Sequence, residues 1–376
     1  MNLEHIESKK VLVRFDFNVP MDGDRIVNDF RIKQSLETIY KLLDKNNKIL
    51  IASHLGRPKE GKFDKTLSLR PICNYLSELI DKKIEFIDTW PDKIDFEDYQ
   101  VAMLENVRFN IGEKSCSEEL SEKISSYVDC FVFDAFGVSH RQECTTYGVS
   151  KYLKTYLGVN IQNEIQTIKK LINENSKPMT IIISGAKVST KLIVIKKLLN
   201  KCDYMILGGG ILNTFLKASG YEIGQSLFEE ALIDEAKSIL QTDVSSKIIF
   251  PTDLICETNS VTKNIGLNSL GKKDVIYDIG DESINHIKDI IRKSSSIFWN
   301  GPLGYIEKKP YDTGTIELAK VIADHKCFSI VGGGDTLPII ENLKLQNKYS
   351  CLSTGGGSLL TYLEEGSLPI LRELNI

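Results

Sequence analysis

The sequence lacks the features by which metal-binding, membrane and nucleic-acid-binding proteins are usually recognised. Its eight cysteines form no CxxC pair, and no histidine lies at metal-ligand spacing. No apolar run reaches 18 residues and no secretory signal is present, which argues against membrane insertion and export. A net charge of −4 without a Lys- or Arg-rich run gives no reason to expect nucleic acid or a membrane surface as partner. We therefore expect the cysteines to be reduced core residues of a cytosolic protein.

The two commonest nucleotide-binding fingerprints, Walker A and GxGxxG after a first strand, are also missing. The chain instead repeats one pattern: a short β-branched segment, a glycine or polar turn, and an amphipathic helix. Over 376 residues this alternation predicts an α/β protein with two doubly wound, Rossmann-like parallel-sheet domains. The predicted strands are 11–15, 48–52, 84–87, 101–104, 130–133, 179–183, 203–207, 247–250, 297–299, 327–331 and 350–353.

A helix is expected between the two domains. Ile161, Ile165, Ile168 and Ile172 mark one face of it, and Pro178 follows its end. A helical connection would allow hinge motion while keeping the domains in register. We predict a first domain over 1–155, an interdomain helix and hinge over 156–177, a second domain over 178–365, and an apolar tail over 366–376 that could pack back on the first domain.

The stretch IIISGAKVSTK, residues 181–191, places two cations in a glycine turn. A β-branched run stops at this turn and a helix-like pattern follows, and backbone N–H groups in that context can hold phosphate. Lys187 and Lys191 lie four residues apart, so their ammonium groups would share a face if the helix has begun. An ordinary crossover with two solvated lysines is the alternative.

Charged turns follow the strands of the first half. Ligands of open α/β sheets bind beyond the carboxyl ends of the strands, and arginine offers forked donors to carboxylate or phosphate. One such turn is more often a solvated loop with a surface ion pair, but five in succession predict a crevice for a small, multiply anionic molecule. The turns are Arg14–Asn18, Asp29–Arg31, Ser53–Pro58, Glu105–Phe109 and Asp134–Arg141.

Glycine turns follow the strands of the second half, at 208–210, 332–334 and 355–357. Successive N–H groups in such turns form anion-binding nests, and Asp335 is placed to hold a cation that accompanies phosphates. A single triplet is equally a tight βα turn, whereas three triplets and the lysine turn together favour a nucleotide. The two halves therefore predict phosphoryl transfer between a nucleotide and a small anionic acceptor.

In their order along the chain, these motifs resemble those of phosphoglycerate kinases. They are VRFDFNVP, SHLGRPK, LENVRF, DAFGVSHR, SGAKVSTK, GGG, WNGPLG, GGGDT and STGGG, and they cover essentially the whole chain. The resemblance implies a glycolytic kinase with a carboxyl group as acceptor. Its reaction would be reversible phosphoryl transfer between ATP and 3-phosphoglycerate, giving ADP and 1,3-bisphosphoglycerate, with Mg²⁺. A cytoplasmic monomer is also implied.

By position, the resemblance implies three sets of site residues. The acceptor contacts are Asp16, Asn18, Arg31, His54, Arg57, Arg108 and Arg141. The catalytic groups are Arg31, Lys187, Gly356 and Gly357. The nucleotide contacts are Gly185, Ala186, Lys191, Gly208, Gly209, Asn300, Pro302, Leu303, Glu307, Gly334, Asp335 and Thr336, with Asp335 also as the metal ligand.

Six positions depart from the usual family pattern: Phe30, Phe133, Ser184, Thr190, Asp281 and Leu359. None of them carries a charge to which a role is assigned, so activity is still expected. Phe30 and Ser184 lie beside catalytic positions, where a change could alter the rate or the acceptor preference. Two alternatives therefore stay open, a non-catalytic nucleotide-binding homologue and a kinase for a related small phospho-acid.

Overall fold

The structure is a computed structural model that describes residues 3–173, 177–353 and 355–376. Contacts between Cα atoms divide the chain into two units. Unit 1 runs to Gln166 and includes Glu365–Ile376, and unit 2 is Thr167–Glu364. The domain boundaries drawn from the sequence, with a hinge over 156–177, stay a prediction, and residues 174–176 of that range lie outside the described residues.

Unit 1 is built on a six-stranded parallel sheet in the order β5-β6-β4-β1-β7-β8. Its central strands are mostly apolar and almost entirely buried, as expected for strands covered on both faces. The strands are β1 (Lys10–Phe15), the hairpin β2 (Met21–Asp22) and β3 (Arg25–Ile26), β4 (Lys48–Ala52), β5 (Glu85–Ile87), β6 (Val101–Leu104), β7 (Cys130–Asp134) and β8 (Thr155–Leu157).

Unit 2 holds a second six-stranded parallel sheet, in the order β11-β10-β9-β15-β16-β17. A separate antiparallel sheet has the order β13-β12-β14. The strands are β9 (Met179–Ser184), β10 (Tyr204–Gly208), β11 (Ile248–Ile249), β12 (Asp253–Thr258), β13 (Val261–Gly266), β14 (Val275–Ile279), β15 (Ser296–Asn300), β16 (Phe328–Gly332) and β17 (Cys351–Ser353).

Amphipathic helices connect the parallel strands, each burying one apolar stripe, as Ile32, Ile39 and Leu42 show in the first of them. No helix among the described residues is both long and apolar enough to span a membrane. The helices are α1 (Phe30–Leu43), α2 (Arg70–Ile80), α3 (Glu118–Ser125), α4 (Val159–Asn173), α5 (Leu192–Leu199), α6 (Gly209–Ala218), α7 (Ile233–Leu240), α8 (Asp281–Lys293), α9 (Thr313–Asp324), α10 (Leu337–Asn342), α11 (Gly356–Glu365) and α12 (Pro369–Glu373).

These sheets confirm the predicted fold class of two doubly wound parallel-sheet units. The antiparallel sheet and the β2–β3 hairpin were not expected. Nearly all residues of β13 are exposed. Its sequence, VTKNIG, contains no apolar run from which a strand could be predicted.

The strand order creates a topological switch point in each sheet. In unit 2, β9 lies between β10 and β15, because the chain first winds toward β11 and then returns to the other side. In unit 1, β1 lies between β4 and β7 in the same way. Turns that leave the carboxyl ends of such strands on opposite sides form the crevice in which ligands of this fold class bind.

Two buried carboxylates fasten helix starts to the sheets. Asp134 accepts hydrogen bonds from Thr38 Oγ1 at 2.6 Å and from the Ile161 N–H at 2.9 Å, which joins α1 to the start of α4. Asp278 accepts from the Gly314 N–H at 2.8 Å, at the start of α9. Burial raises the pKa of Asp134 to about 6 and that of Asp278 to about 7.

The raised pKa of Asp278 predicts a specific pH dependence of stability. Between the ordinary carboxyl pKa and about 7, the folded protein keeps a proton that the unfolded chain has released. The associated stability is therefore fully present below the ordinary pKa and is lost as the pH rises through about 7. We expect Asp278→Asn to flatten the fall in the free energy of unfolding between pH 5 and 7, by at most about 1.4 kcal/mol per pH unit.

Urea unfolding at several pH values measures this slope, followed through the transition of unit 2. Asp324→Asn is the matched control, because it removes an exposed carboxylate from the same unit. Equal slopes for wild type and Asp278→Asn would show that Asp278 is ionised in the folded protein.

Candidate active site

Asp16 directly follows β1 and joins the first turns of unit 1. Its Oδ2 accepts from Arg31 Nη1 at 2.8 Å, and its Oδ1 lies 3.9 Å from His54 Nδ1. The Asn18 side chain is joined to the turn after β4, because its Oδ1 accepts from the Gly56 N–H at 2.8 Å. The start of α1 and the ends of β1 and β4 therefore place these groups together, as the fold class predicts.

His54 lies fully buried among guanidinium groups. Burial, and then the positive charges of Arg14, Arg108, Arg31 and Arg141, hold the pKa of His54 well below its usual range. The ring is therefore neutral at physiological pH. Its Nδ1 lies 3.1 Å from Arg14 Nη2, and a guanidinium can only donate, so Nδ1 accepts and the ring proton is on Nε2.

A third group of contacts brings in Arg108 and Arg141. Arg108 is buried and donates through Nη1 to the Gly56 carbonyl at 2.9 Å. Arg108 Nη2 and Arg141 Nη1 each lie 3.3 Å from one carboxylate oxygen, Oε1 of Glu143. Burial lowers the pKa of Arg108, an effect that the charge of Glu143 opposes.

The structure thus joins six of the seven predicted acceptor residues. The remaining one, Arg57, is exposed, and its side chain has no ion pair or hydrogen bond within the described part of the chain. The six that are joined are Asp16, Asn18, Arg31, His54, Arg108 and Arg141.

Sequence reasoning placed Arg14 in a charged turn without assigning it a role, and it missed Glu113 and Glu143. Arg14 is completely buried and donates through Nε to Thr145 Oγ1 at 3.0 Å, and that hydroxyl donates to Glu113 Oε1 at 2.5 Å. Burial raises the pKa of Glu113 to about 7. An arginine inside an apolar strand was a usable signal for Arg14, since a buried charge needs partners. No sequence signal marked Glu113 or Glu143.

In unit 2, Lys191 occupies the switch point between β9 and β15. Its Nζ donates to Asn300 Oδ1 at 2.6 Å and to the Ser184 carbonyl, at the ends of these two strands. Burial lowers the pKa of Lys191 to about 8, and the charge of Asp335 opposes this shift. The ammonium therefore fixes the two turns from which the predicted nucleotide contacts project.

The two lysines do not share a helix face, because the helix has not begun at either of them. α5 begins at Leu192, after both lysines, because the N–H groups of Lys191 and Leu192 first close a turn on the Val188 carbonyl. Lys187 is exposed, whereas Lys191 is half-buried. The two ammonium groups therefore have different surroundings.

The glycine turns of unit 2 pack backbone against backbone. Gly209 has φ +60°, and a Cβ there would lie 2.8 Å from the Gly185 carbonyl oxygen. A Cβ on Gly210 would lie 2.3 Å from the Ala186 carbonyl oxygen. The Gly209 N–H also donates to the Leu303 carbonyl at 3.1 Å. Only glycine allows this approach, which joins the turns after β9, β10 and β15.

The other two glycine triplets meet beside this group. Asn300 Nδ2 donates to the Gly332 carbonyl at 2.9 Å, and a Cβ on Gly356 would lie 3.2 Å from Gly333 Cα. Gly357 is exposed in the first turn of α11, and Thr354 of the same motif lies outside the described residues. The structure does not join Glu307 to this group, because its exposed side chain has no hydrogen bond or ion pair within the described residues.

Two neighbouring residues after β16 fit a divalent cation held together with phosphates. Asp335 is exposed, Thr336 Oγ1 is buried without a hydrogen-bond partner among the described residues, and a Cβ on Gly334 would meet no atom within 4 Å. No group of three or more His, Cys, Asp or Glu side chains in the described ranges could hold a metal by itself. One carboxylate beside open space suits Mg²⁺, which usually shares its coordination with water and phosphate.

Several departures from the family pattern have local structural roles. Ser184 Oγ donates to the Pro302 carbonyl, which ties the end of β9 to the loop after β15. Thr190 Oγ1 donates to the Lys187 carbonyl at 3.0 Å and so closes the lysine turn. Leu359 is fully buried, and its Cδ2 would lie 2.6 Å from a Cβ on Gly332. These contacts support the turns of the site.

Comparisons with known proteins agree with this arrangement. A family model described as phosphoglycerate kinase matches residues 1–366. A phosphoglycerate kinase from Francisella tularensis subsp. holarctica (strain OSU18) is 41% identical over 379 residues, and one from Baumannia cicadellinicola is 40% identical over 374 residues. Each alignment covers 98% of this chain and 96% of the relative.

Solved structures of the same kind are also similar. The phosphoglycerate kinase from Coxiella burnetii has a TM-score of 0.87 at 36% identity, and that from Pyrococcus horikoshii OT3 a TM-score of 0.83 at 28% identity. Both comparisons cover 98% of this chain and 96% of the other. The chain belongs to the phosphoglycerate kinase family.

Proposed function

We propose that the protein is an active phosphoglycerate kinase of glycolysis, which transfers a phosphoryl group reversibly between ATP and the carboxylate of 3-phosphoglycerate. The observation that carries this proposal is the arginine cluster of unit 1, in which four guanidinium groups influence the single buried imidazole of His54. Such a cluster suits a small molecule with several negative charges. The glycine turns of unit 2 supply the matching chemistry for a nucleotide polyphosphate.

The acceptor is held by Asp16, Asn18, Arg31, His54, Arg57, Arg108 and Arg141. The guanidinium groups pair with its phosphate and carboxylate, and neutral His54 contributes a hydrogen-bond donor at Nε2 without adding charge. Arg57 is exposed and can turn toward the ligand once it is bound. The acceptor carboxylate is already ionised at neutral pH, so the reaction needs no general base.

The transfer step needs alignment and compensation of the charge on the three equatorial oxygens. Arg31 and Lys187 supply cations, and the N–H groups of Gly356 and Gly357 at the start of α11 supply backbone donors. Lys187 lies on an exposed turn and can follow the moving phosphoryl group. Arg31 is held by Asp16 at 2.8 Å, which orients its guanidinium before the substrate binds.

The nucleoside is surrounded by Gly185, Ala186, Gly208, Gly209, Asn300, Pro302 and Leu303. Glu307 binds the ribose. The phosphates are contacted by Lys191, Gly334 and Thr336. Asp335 would hold Mg²⁺ beside the nucleotide phosphates. When bound, the ion neutralises phosphate charge and orients the chain of phosphates. The buried hydroxyl of Thr336 has hydrogen-bonding capacity left for a phosphate oxygen.

Transfer requires the acceptor bound by unit 1 to meet the nucleotide bound by unit 2. A hinge over 156–177, between domains 1–155 and 178–365, would bring the ligands together and exclude water that would hydrolyse the acyl phosphate. The protein acts as a monomer in the cytoplasm, where ATP and the glycolytic intermediates are found. Sedimentation at working concentrations tests the monomeric state.

A coupled assay of ATP consumption tests the proposed activity against its alternatives. We expect turnover with 3-phosphoglycerate to exceed that with glycerate, 2-phosphoglycerate and phosphoglycolate by a wide margin. A preference for another of these acids would establish the related-kinase alternative, for which Phe30 and Phe133 would be the first positions to examine. Nucleotide binding without turnover of any acid would establish a non-catalytic homologue.

Lys187→Ala tests the catalytic assignment in unit 2. Removing a cation that acts only on the transferring phosphoryl group should lower kcat by about 10²–10³ and leave the KM for ATP within a few-fold. Lys196→Ala is the matched control, because Lys196 is an exposed lysine on the following helix. A kcat near that of the control variant would show that Lys187 is not catalytic.

Asp335→Asn tests the metal assignment. We expect the concentration of free Mg²⁺ needed for half-maximal activity to rise about tenfold or more, because a neutral amide is a weaker ligand than a carboxylate. Asp324→Asn, another exposed aspartate of unit 2, should leave this concentration unchanged. The same Mg²⁺ dependence in both variants would place the ion elsewhere.

Small-angle scattering tests the hinge. The radius of gyration should fall only when 3-phosphoglycerate and a non-hydrolysable ATP analogue are present together, because each ligand alone contacts one unit. The measurement requires the free protein, both binary complexes and the ternary complex under one buffer condition. A radius that is the same in all four samples would contradict closure.

A further inference from the structure

Glu143 is a carboxylate inside a cluster that otherwise suits an anionic ligand. It is 4% exposed, and its single oxygen Oε1 lies 3.3 Å from both Arg108 Nη2 and Arg141 Nη1. Charge-assisted hydrogen bonds of this kind are usually about 2.7–2.9 Å long. The two ion pairs are therefore longer than the strongest pairs of their type.

The backbone of Glu143 is held by hydrogen bonds within its own turn. The Glu143 N–H donates to Thr146 Oγ1 at 3.0 Å, and its carbonyl accepts from the N–H groups of Tyr147 at 2.9 Å and Gly148 at 3.1 Å. Thr146 Oγ1 in turn donates to the Arg141 carbonyl at 2.9 Å. These bonds hold the backbone of Glu143 without help from the two guanidinium groups, so the residue stays beside the cluster when the arginines engage another anion.

Both sides of this contact keep unused hydrogen-bonding capacity. Oε2 of Glu143 and Nε of Arg108 are buried, and neither has a partner among the described residues. The negative charge of Glu143 also raises the pKa of Arg14 and Arg108 against the effect of their burial. Glu143 therefore neutralises part of the cluster's charge without occupying the Nε donor of Arg108.

We propose that Glu143 is a resident counter-ion that positions Arg108 and Arg141 and limits the affinity of the cluster for its anionic acceptor. This rests on the proposed function for the identity of the acceptor. A site built only of guanidinium groups would bind a phosphorylated acid tightly and release it slowly. A fixed negative charge beside the same groups lowers the affinity and so favours exchange of substrate and product in a reversible reaction.

This role makes a quantitative prediction that a purely structural role does not. The energy of an ion in an electrostatic potential is proportional to its charge, so removing Glu143's charge should strengthen the binding of a dianion twice as much, in free energy, as that of a monoanion. For Glu143→Gln we expect the dissociation constant of sulfate to fall on the order of tenfold and that of nitrate about threefold. The KM for 3-phosphoglycerate should fall in the same direction as sulfate, without a rise in kcat.

The dissociation constants can be obtained by NMR titration of arginine side-chain signals, which requires no turnover. Glu122→Gln is the matched control, because it removes one exposed carboxylate from unit 1 away from the cluster. It should leave both constants unchanged. Glu143→Asp keeps the negative charge but moves it away from the two guanidinium groups by the length of one methylene. It should therefore strengthen sulfate binding by a smaller factor than Glu143→Gln does.

An unchanged or weakened affinity for sulfate in folded Glu143→Gln would overturn the proposal. If that variant does not fold, the same result in Glu143→Asp would overturn it. If the wild-type protein turns over no acid but Glu143→Gln binds sulfate more tightly than wild type, the proposed function is contradicted and the counter-ion role is supported. If wild type turns over 3-phosphoglycerate normally but Glu143→Gln gains no affinity for sulfate, the counter-ion role is contradicted and the proposed function is supported.

Discussion

Repulsion among neighbouring guanidinium groups is the constraint on which the acceptor side of this protein depends. Arg14, Arg31, Arg108 and Arg141 all lower the pKa of the same buried imidazole, so their charges are concentrated in one small region. Such a cluster is stable only with fixed counter-charges, because an unpaired buried charge is costly. Asp16 provides one through its ion pair with Arg31, and Glu143 provides another through its ion pairs with Arg108 and Arg141.

The proposed nucleotide site of unit 2 is built mainly from backbone and not from charged side chains. Its turns pack mainly backbone against backbone, so closely that a Cβ on Gly210 would lie 2.3 Å from a carbonyl oxygen. One side chain, Lys191, holds the ends of β9 and β15 together at the switch point. The cluster of unit 1 is thus built from charged side chains, whereas the turns of unit 2 come together because their glycines lack side chains.

The sequence predicted the parts of this architecture that depend on local pattern. Buried parallel strands were visible as β-branched runs, whereas β13, Val261–Gly266, was not, because it is polar and exposed. The helix-like pattern after the lysine turn is confirmed as α5, which starts at Leu192. The backbone bonds to the Val188 carbonyl that close the preceding turn leave no pattern in the sequence. Glu143 was missed although its partner Arg141 is only two residues away, because its second partner, Arg108, is 35 residues away and no local pattern records that pairing.

The central claim is that the arginine cluster of unit 1 and the glycine turns of unit 2 act on one phosphoryl group. The most direct measurement is a crystal structure with 3-phosphoglycerate and a non-hydrolysable ATP analogue bound together with Mg²⁺. We predict that the terminal phosphate lies in line with the acceptor carboxylate, and that the Arg31 guanidinium and the Lys187 ammonium both contact this phosphate. A ternary complex in which either group is directed away from that phosphate would contradict it.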